Sequence, residues 1–471
     1  MMSIDMLKNN LCKALLCFLP IFSGCTVGPN YQKPNISMPI QYKEAQGWKI
    51  AQPQDQEQRG AWWEIYQDTT LNGLEQQVVL SNQNIAQYVA RYEKAAALVS
   101  QSKASQLPSV NATGGATRSA DGNASPSNVF SAKATLSWEL DLWGKLKRTV
   151  AENKASAQAS AADLANATLS AQTTLAQDYF ALRVLDKRIA LYDKTIETYS
   201  RYRKVLAAKY KEGVVAKSDL TQAEQSLYSA QASREDLVWQ RAQYEHAIAM
   251  LIGKMPAEFN LPVSQAALPY IPEIPLTLPS RLLERRADIA SAERSVAAAN
   301  EEIGIAIAGY FPDISLTGST GYSASSLSNL ISAQNLLWSL GASATQSVFD
   351  FGANKAKVKQ ARATYDEAVA AYKQTVLEAM QGIEDDLAKS NSLTKEVSHT
   401  QQALASASET ARIKRNQYNE GMIDYTDVAS TEATRLSNEQ SLLQLQSTQL
   451  QNSVALINAL GGGWDKANLS Q

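Results

Sequence analysis

The sequence is poor in the residues that catalysis and metal binding usually need. Among 471 residues there are two histidines, His246 and His399, and neither lies near a cysteine or a carboxylate cluster with metal-ligand spacing. Both read as ordinary helix-surface residues. There is no Gly-rich phosphate loop, no Ser nucleophile elbow and no His-based triad. Paired acids such as Asp385-Asp386 fall in the middle of a helical stretch and read as a solvated face. The chain is therefore expected to be no enzyme and to use no cofactor or metal. A formal net charge of −2 argues against a nucleic-acid partner, which needs a basic face to displace counterions. Beyond the N-terminus no apolar run approaches the ~20 residues that span a bilayer as a helix. If the chain crosses a membrane, it must do so as part of a closed β-barrel.

Cysteine is scarce, and its placement is informative. The three cysteines are Cys12, Cys17 and Cys25. Residues 1–24 read as a secretory signal, with Lys8 and Lys13 ahead of or within a short apolar core, Leu11 to Phe22, broken by Pro20. The segment ends in Phe22-Ser23-Gly24-Cys25, which resembles a bacterial lipobox with Phe22 where Leu is usual. Cleavage would leave Cys25 as the first mature residue and the only cysteine, so no disulfide framework is possible. A covalent lipid on Cys25 is expected. The next residue is Thr26 rather than the Asp that resembles an inner-membrane retention mark, which points to the outer membrane.

What the chain has in quantity is helix-forming sequence, written twice. Tyr210-Lys211-Glu212-Gly213 is echoed by Tyr418-Asn419-Glu420-Gly421, with Asp219 opposite Asp427 and Glu224 opposite Glu432, all 208 residues apart. Upstream the offset is 204: Leu107-Pro108 matches Phe311-Pro312 and Asn84-Ile85 matches Asp288-Ile289. The reading is a signal (1–24), an N-terminal anchor and equatorial segment (25–83), a first repeat (84–253), an interhalf linker (254–287), a second repeat (288–461) and a tail (462–471). Each repeat has a short helix, two strand-like runs, a very long helix, a tight turn and a returning helix.

Residues 130–142 alternate strictly. Phe130, Ala132, Ala134, Leu136, Trp138, Leu140 and Leu142 are apolar, and the residues between them are polar. This is a strand with one apolar and one wet face, long enough to cross an outer membrane when tilted. The second repeat carries weaker versions around Ile314 to Tyr322 and Trp338 to Thr345. Alternation alone does not distinguish lipid from a soluble core. Four strands cannot close a membrane barrel, which needs about eight, so several chains must share one if these strands span the bilayer. Residues 145–210 contain no Pro or Gly, a helix of roughly 100 Å at 1.5 Å per residue; Ala353 to Asn419 is its counterpart, interrupted only by Gly382. Composition rich in Ala, Ser, Thr and Gln suits a hollow helical tube, with a simple rod-like coiled coil as the other reading.

Several separated motifs, in order, resemble the TolC family of outer-membrane efflux factors, in its lipoprotein branch serving resistance-nodulation-division pumps. They are Cys25-Thr26-Val27-Gly28-Pro29-Asn30-Tyr31-Gln32-Lys33-Pro34, Leu278-Pro279-Ser280-Arg281-Leu282-Leu283-Glu284-Arg285-Arg286-Ala287-Asp288-Ile289, and the run Trp138 to Gly144 with its partner Val348-Phe349-Asp350-Phe351-Gly352. The usual Arg-Pro-Asp is Arg286-Ala287-Asp288 here. The resemblance implies a mainly α homotrimer with a twelve-stranded membrane β-barrel continuous with a long α-helical barrel through the periplasm, and a mixed equatorial belt. It implies a periplasmic adaptor and an inner-membrane pump as partners, and passive conduction of drugs or other small toxic compounds. The hairpin turns at Gly213 and Gly421 would form the periplasmic entrance. Val214, Val215, Met422 and Ile423 would be exposed apolar tips for the adaptor. Asp424 and Asp427 would form acidic rings at the constriction, with N-capping as a second role for Asp424. Relatives latch the closed state onto the equivalent of Asp219 with a Tyr, here Tyr418, and an Arg, here replaced by Ile423. A protein-secretion channel and a lipid-anchored coiled-coil tether are the competing functions; the tether leaves the amphipathic strands unexplained.

Overall fold

The structure, a computed structural model, describes residues 26–45, 61–122, 125–264, 266–272, 274 and 285–462. Cys25, the signal and the Leu278–Glu284 part of the second motif lie outside the described residues. The elements are α1 (Thr69–Ser81), α2 (Gln83–Ala104), β1 (Ser109–Ser119), β2 (Ser127–Leu140), α3 (Lys145–Lys211), α4 (Lys217–Leu251), α5 (Ala287–Ala308), β3 (Asp313–Ala324), β4 (Leu336–Thr345), α6 (Ala353–Asn419) and α7 (Tyr425–Ala459). No described helix is long and apolar enough to cross a membrane. The chain forms two compact units, and each draws on both sequence repeats. One holds the chain up to residue 36 with 90–161 and 291–374; the other holds 37–89, 162–290 and the chain from 375 onward.

The first unit carries one antiparallel sheet in the order β1-β2-β3-β4. Its register brings the alternating residues of all four strands into columns. Val110 faces Leu136, Leu136 faces Gly318, and Gly318 faces Leu340, so one face is apolar from edge to edge. The opposite face is wet: Asn111 faces Thr135, Thr135 faces Ser319, and Ser319 faces Ser339, with a Ser319–Ser339 hydroxyl contact of 2.8 Å. The second strand begins and ends earlier than its alternation suggests, at 127–140 rather than 130–142. Asp141 is the reason. Its Oδ1 accepts from Leu146 N (3.1 Å) and its Oδ2 from Lys147 N (2.7 Å), satisfying the free amides that open α3. At this end of the sheet the chain from Thr26 is strapped down. Val27 N donates to Trp143 O (3.1 Å), and the buried Arg148 donates to Val27 O (2.7 Å) and Gly28 O (3.1 Å) while pairing with Glu301 (2.7 Å).

The second unit holds the main apolar core. Trp62, Trp63, Tyr66, Leu71 and Val78 pack with Leu175, Phe180, Ile248 and Leu456. α1 lies inside the 25–83 anchor and equatorial segment, for which the sequence marks no helix. Asp68 caps it, accepting from Thr70 N (2.9 Å) and Leu71 N (3.1 Å), and Leu71, Leu74 and Val78 supply its buried stripe. Two helix junctions repeat each other here. Asn82 Nδ2 donates to Leu251 O (2.8 Å), tying the end of α4 to the start of α2; Arg286 Nη1 donates to Ala459 O (2.7 Å), tying the end of α7 to the start of α5. The irregular segments are held by carboxylates on the long helices. Asp186 on α3 pairs with Arg183 (3.2 Å) and Arg241 (2.7 Å) and accepts from Ser264 N (3.0 Å). Glu384 on α6 accepts from Lys43 N (2.8 Å) and Glu44 N (3.0 Å).

Glu75 of α1 is fully buried, with no hydrogen-bond partner for either oxygen. Burial pushes its carboxyl from 4.5 to about 9, so it is uncharged at neutral pH. The unfolded carboxyl ionises above about 4.5 and the folded one does not, so stability falls as pH rises through that window and levels off above about 9. Glu75→Gln removes this linkage. The thermal midpoint of the variant is expected to gain on the parent steadily between pH 5 and about 9. A difference independent of pH would contradict a neutral Glu75.

Candidate functional site: the hairpin tips

The turns joining α3 to α4 and α6 to α7 are built alike. Gly213 has φ +72° and Gly421 φ +74°, a left-handed conformation that costs other residues about 1 kcal/mol or more. Gly213 N donates to Tyr210 O (3.0 Å) and Val214 N to Lys209 O (2.8 Å); Gly421 N donates to Tyr418 O (3.0 Å) and Met422 N to Gln417 O (2.9 Å). This is a Schellman closure, used twice at the 208-residue offset. The residue after each glycine points out, with Val214 69% and Met422 70% exposed. The next residue does not. Val215 and Ile423 are half-buried against a small core of Leu206, Ala223, Tyr425, Val428 and Ala429. The expected apolar tip is therefore two side chains, not four. The other two are the floor on which the turns rest.

The acidic residues sit where the sequence places them but bond differently. Asp424 occupies the N-cap position of α7, yet its side chain accepts no capping hydrogen bond, so it is exposed and free for another role. Asp427, one turn on, lies 3.9 Å from Lys414 Nζ, a loose and solvated pair. Asp219 is half-buried in the first turn of α4. Tyr418 does not reach it, because the Tyr418 hydroxyl is buried without a hydrogen-bond partner. Its ring turns instead into an aromatic group with Tyr202 (6.5 Å between centroids) and Tyr425 (6.0 Å), and Lys209 Nζ lies 5.1 Å above it. The Tyr–Asp part of the latch is thus not made within this chain.

Sequence reasoning missed Tyr202 and Tyr425, although the spacing of Tyr418 and Tyr425 across a glycine turn is the signal that could have marked them. It also missed the ion group beneath. Glu432, buried on α7, takes Arg415 from α6 and Arg435 (2.9 Å), and Arg435 also pairs with Glu439 (2.6 Å). In the first repeat the matching Glu224 pairs with Arg203 alone among the described residues (3.2 Å) and is more exposed than Glu432. Burial raises the Tyr425 hydroxyl well above its usual range, with Tyr199, Tyr202, Tyr418 and Glu432 adding to it, so it stays protonated. Among the described residues no group of three or more His, Cys, Asp and Glu is placed to hold a metal ion.

A wet-and-dry sheet with open edges in one unit, and long helices ending in exposed glycine turns in the other, are the parts of one protomer of an outer-membrane channel. The comparisons agree and are more specific. The sequence matches the outer membrane efflux protein family over residues 74–254 and 278–462, and the chain belongs to that family. It is similar to outer membrane protein OprJ of Pseudomonas aeruginosa (30% identical, 96% of each chain covered). It is also similar to cation efflux system protein CusC of Escherichia coli K12 (27% identical, 96% of this chain and 99% of that one). Among solved structures, the outer-membrane channel OprN superposes with a TM-score of 0.86 at 28% identity, over 93% of this chain and all of that one. CusC does so with 0.84 at 26%, over the same shares. The protein is an outer-membrane efflux channel component and not an enzyme.

Two substitutions separate packing from polar pinning at the tips. Tyr425→Phe deletes a buried hydroxyl that has no partner, and is expected to leave stability unchanged or slightly raised. Glu432→Ala leaves two arginines facing each other and is expected to cost about 1–3 kcal/mol locally. Hydrogen exchange of the α6–α7 tip measures both; equal protection in the two variants would contradict this division.

Proposed function

We propose that three copies of this chain form one tunnel. On this reading they pool their sheets into a twelve-stranded barrel in the outer membrane and align their helical hairpins as a periplasmic duct. The tunnel passively conducts small toxic compounds, drugs or metal cations, delivered by a resistance-nodulation-division pump of the inner membrane through a periplasmic adaptor. The observation that carries this is the apolar sheet face running to two unpaired edges, which lipid does not tolerate in a single copy. Two relatives are named for cation efflux and for antibiotic efflux respectively, CusC and the antibiotic efflux pump outer membrane protein ArpC of Pseudomonas putida. The sequence is read as residues 25–83 anchoring the chain, repeats at 84–253 and 288–461 lining the duct, the linker 254–287 completing an equatorial belt, and a tail from 462. Val214 and Met422 are the apolar tips offered to the adaptor, with Gly213 and Gly421 setting their pose and Val215 and Ile423 supporting them from below.

Cys25 is read as the lipid attachment site. Its sequence neighbour Thr26 begins a strap fixed to Trp143 and Arg148 at the end of the sheet, the right place for acyl chains to meet the inner leaflet. Mass spectrometry of the purified protein is expected to find the mature N-terminus at Cys25 carrying lipid, and Cys25→Ser to yield unacylated or uncleaved precursor. A mature N-terminus elsewhere would sink the assignment.

Asp424, exposed and not spent on capping, and Asp427, only loosely countered by Lys414, are read as acidic rings at the periplasmic mouth, with Asp219 and Tyr418 beside them. Carboxylates a few ångströms apart repel by about 1 kcal/mol or more per pair and gather counterions. Replacing both Asp424 and Asp427 with Ala is expected to lower cation selectivity and weaken block by multivalent cations in single-channel recordings, with assembly intact. Unchanged selectivity and block would place the constriction elsewhere.

A further inference from the structure

Both long helices open on a run of cations that the chain does not balance. α3 begins with Lys145, Lys147, Arg148 and Lys154, and α6 with Lys355, Lys357, Lys359 and Arg362. Three of these have company within the chain. Arg148 is the buried strap on the N-terminal segment. Lys145 pairs with Glu139 (3.4 Å) and Asp313 (3.2 Å), both in the wet phase of their strands. Lys357 lines a polar hollow with Lys145, Asp313, Glu152 and Glu302. The remaining five, Lys147, Lys154, Lys355, Lys359 and Arg362, are exposed, and among the described residues their side chains have no hydrogen-bond or ion-pair partner.

Helix periodicity sets these five on the side away from the hollow. At 3.6 residues per turn, Lys147 and Lys154 lie about 160–180° round α3 from Lys145, and Lys355, Lys359 and Arg362 about 140–160° round α6 from Lys357. Lys145 is tied to the wet face of the sheet, so the five stand on the side of the dry face. Each set forms one stripe, spaced i, i+7 on α3 and i, i+4, i+7 on α6. The duplication repeats the device, since Lys147 matches Lys355 and Lys154 matches Arg362 at the 208-residue offset. Both stripes belong to the same compact unit as the sheet, and both lie within about 14 Å of the helix start.

For the chain alone this placement is unfavourable. The positive end of a helix dipole is its N-terminus, where added cations destabilise. The carboxylates at hand are engaged. Asp141 caps α3, and Asp350 caps α6 by accepting from Gly352 N (2.9 Å) and Asn354 N (2.8 Å). Asp366, next along the α6 stripe, lies further from the sheet and pairs with none of the five. An anion at this level would satisfy both the cations and the two dipoles.

We infer that the two stripes bind the phosphate of anionic phospholipid headgroups, in the leaflet that meets the foot of the sheet. This rests on the proposed barrel, whose dry face meets lipid, and adds a headgroup preference to it. The order along the chain is that of a bilayer read outward from its core. The dry strands come first, then the bare apolar elbow with Phe349 and Phe351 (76% and 92% exposed, rings 4.5 Å apart), then Lys355, Lys359 and Arg362. In a helix the Cα–Cβ bonds tilt toward the N-terminus, so these side chains lean back toward the sheet. Their stems can lie on apolar surface while the charged heads reach phosphate. Anionic lipid draws such basic clusters when they stand at the bilayer surface.

Charge-removing variants of the full chain test the surface. K147Q/K154Q/K355Q/K359Q/R362Q removes all five charges, and K147R/K154R/K355R/K359R/R362K keeps them. K357Q, on the same helix but lining the hollow, is the control. Each protein, purified in detergent, is titrated with phosphatidylglycerol or phosphatidylcholine, and native mass spectrometry counts the bound lipid. The parent is expected to prefer phosphatidylglycerol, and the neutral variant to bind it about tenfold or more less tightly. K357Q and the charge-keeping variant are expected to match the parent. Parent-like binding by the neutral variant, or equal binding of the two lipids by the parent, overturns the surface. Displacement of phosphatidylglycerol by millimolar inorganic phosphate assigns the stripes to free phosphate and overturns the lipid. If the fivefold variant does not fold, K147Q/K154Q and K355Q/K359Q/R362Q are measured separately, and parent-like binding by both overturns the surface. Flotation of the parent with phospholipid vesicles separates the two levels of the reading. A parent that floats but shows no preference overturns the headgroup site alone, and one that does not float overturns the barrel with it.

Discussion

Unpaired backbone at a sheet edge is the constraint on which this molecule turns. In water an exposed edge strand invites aggregation, and in hydrocarbon each unpaired amide or carbonyl costs several kcal/mol. This chain has two such edges, β1 and β4, on a sheet whose apolar face reaches both. Nothing among the described residues covers them. The features around the sheet respond to that fact. Asp141 and Asp350 close the strands off cleanly by capping the long helices that follow, and Arg148 straps the N-terminal segment beside the sheet end.

The helical unit solves a different problem, the stiffness of long helices that have little apolar surface. Its main core is a belt where aromatic residues of the 62–66 turn and α1 meet α3, α4 and α7, with smaller apolar clusters toward the tips. Between these clusters the helices are also joined by polar side chains such as Arg188, which reaches Gln440 (2.8 Å) and Gln444 (3.3 Å). Such contacts contribute little each, yet they leave both sides of the helices wettable, as a water-filled duct demands.

Much of this was legible in the sequence because period and punctuation carry it. Residues 145–210 without Pro or Gly could only be a long helix, and two Tyr-x-x-Gly turns at one offset could only be repeated hairpin ends. Alternation found the β2 strand but not its limit, since Asp141 continues the polar phase of the strand while its carboxylate works for the helix. α1 was hidden for a similar reason: its cap, Asp68, lies in a polar stretch, and its three apolar contacts are too few to stand out by period. The tip residues show what spacing cannot supply. Val214 and Val215 are identical in chemistry and adjacent in sequence, and only the left-handed turn at Gly213 decides which one meets solvent. Likewise the aim of the Tyr418 ring depends on Tyr202, more than two hundred residues away.

The two hairpins share one ancestry in sequence and one turn geometry, but they are not equally held. In the second, the buried Glu432 is gripped by two arginines; in the first, the more exposed Glu224 has one. Three copies around an axis would then set six hairpins in a ring where firm and yielding members alternate. A load applied at the mouth would then be shared unequally, by three stiffer and three softer members, rather than evenly by all six.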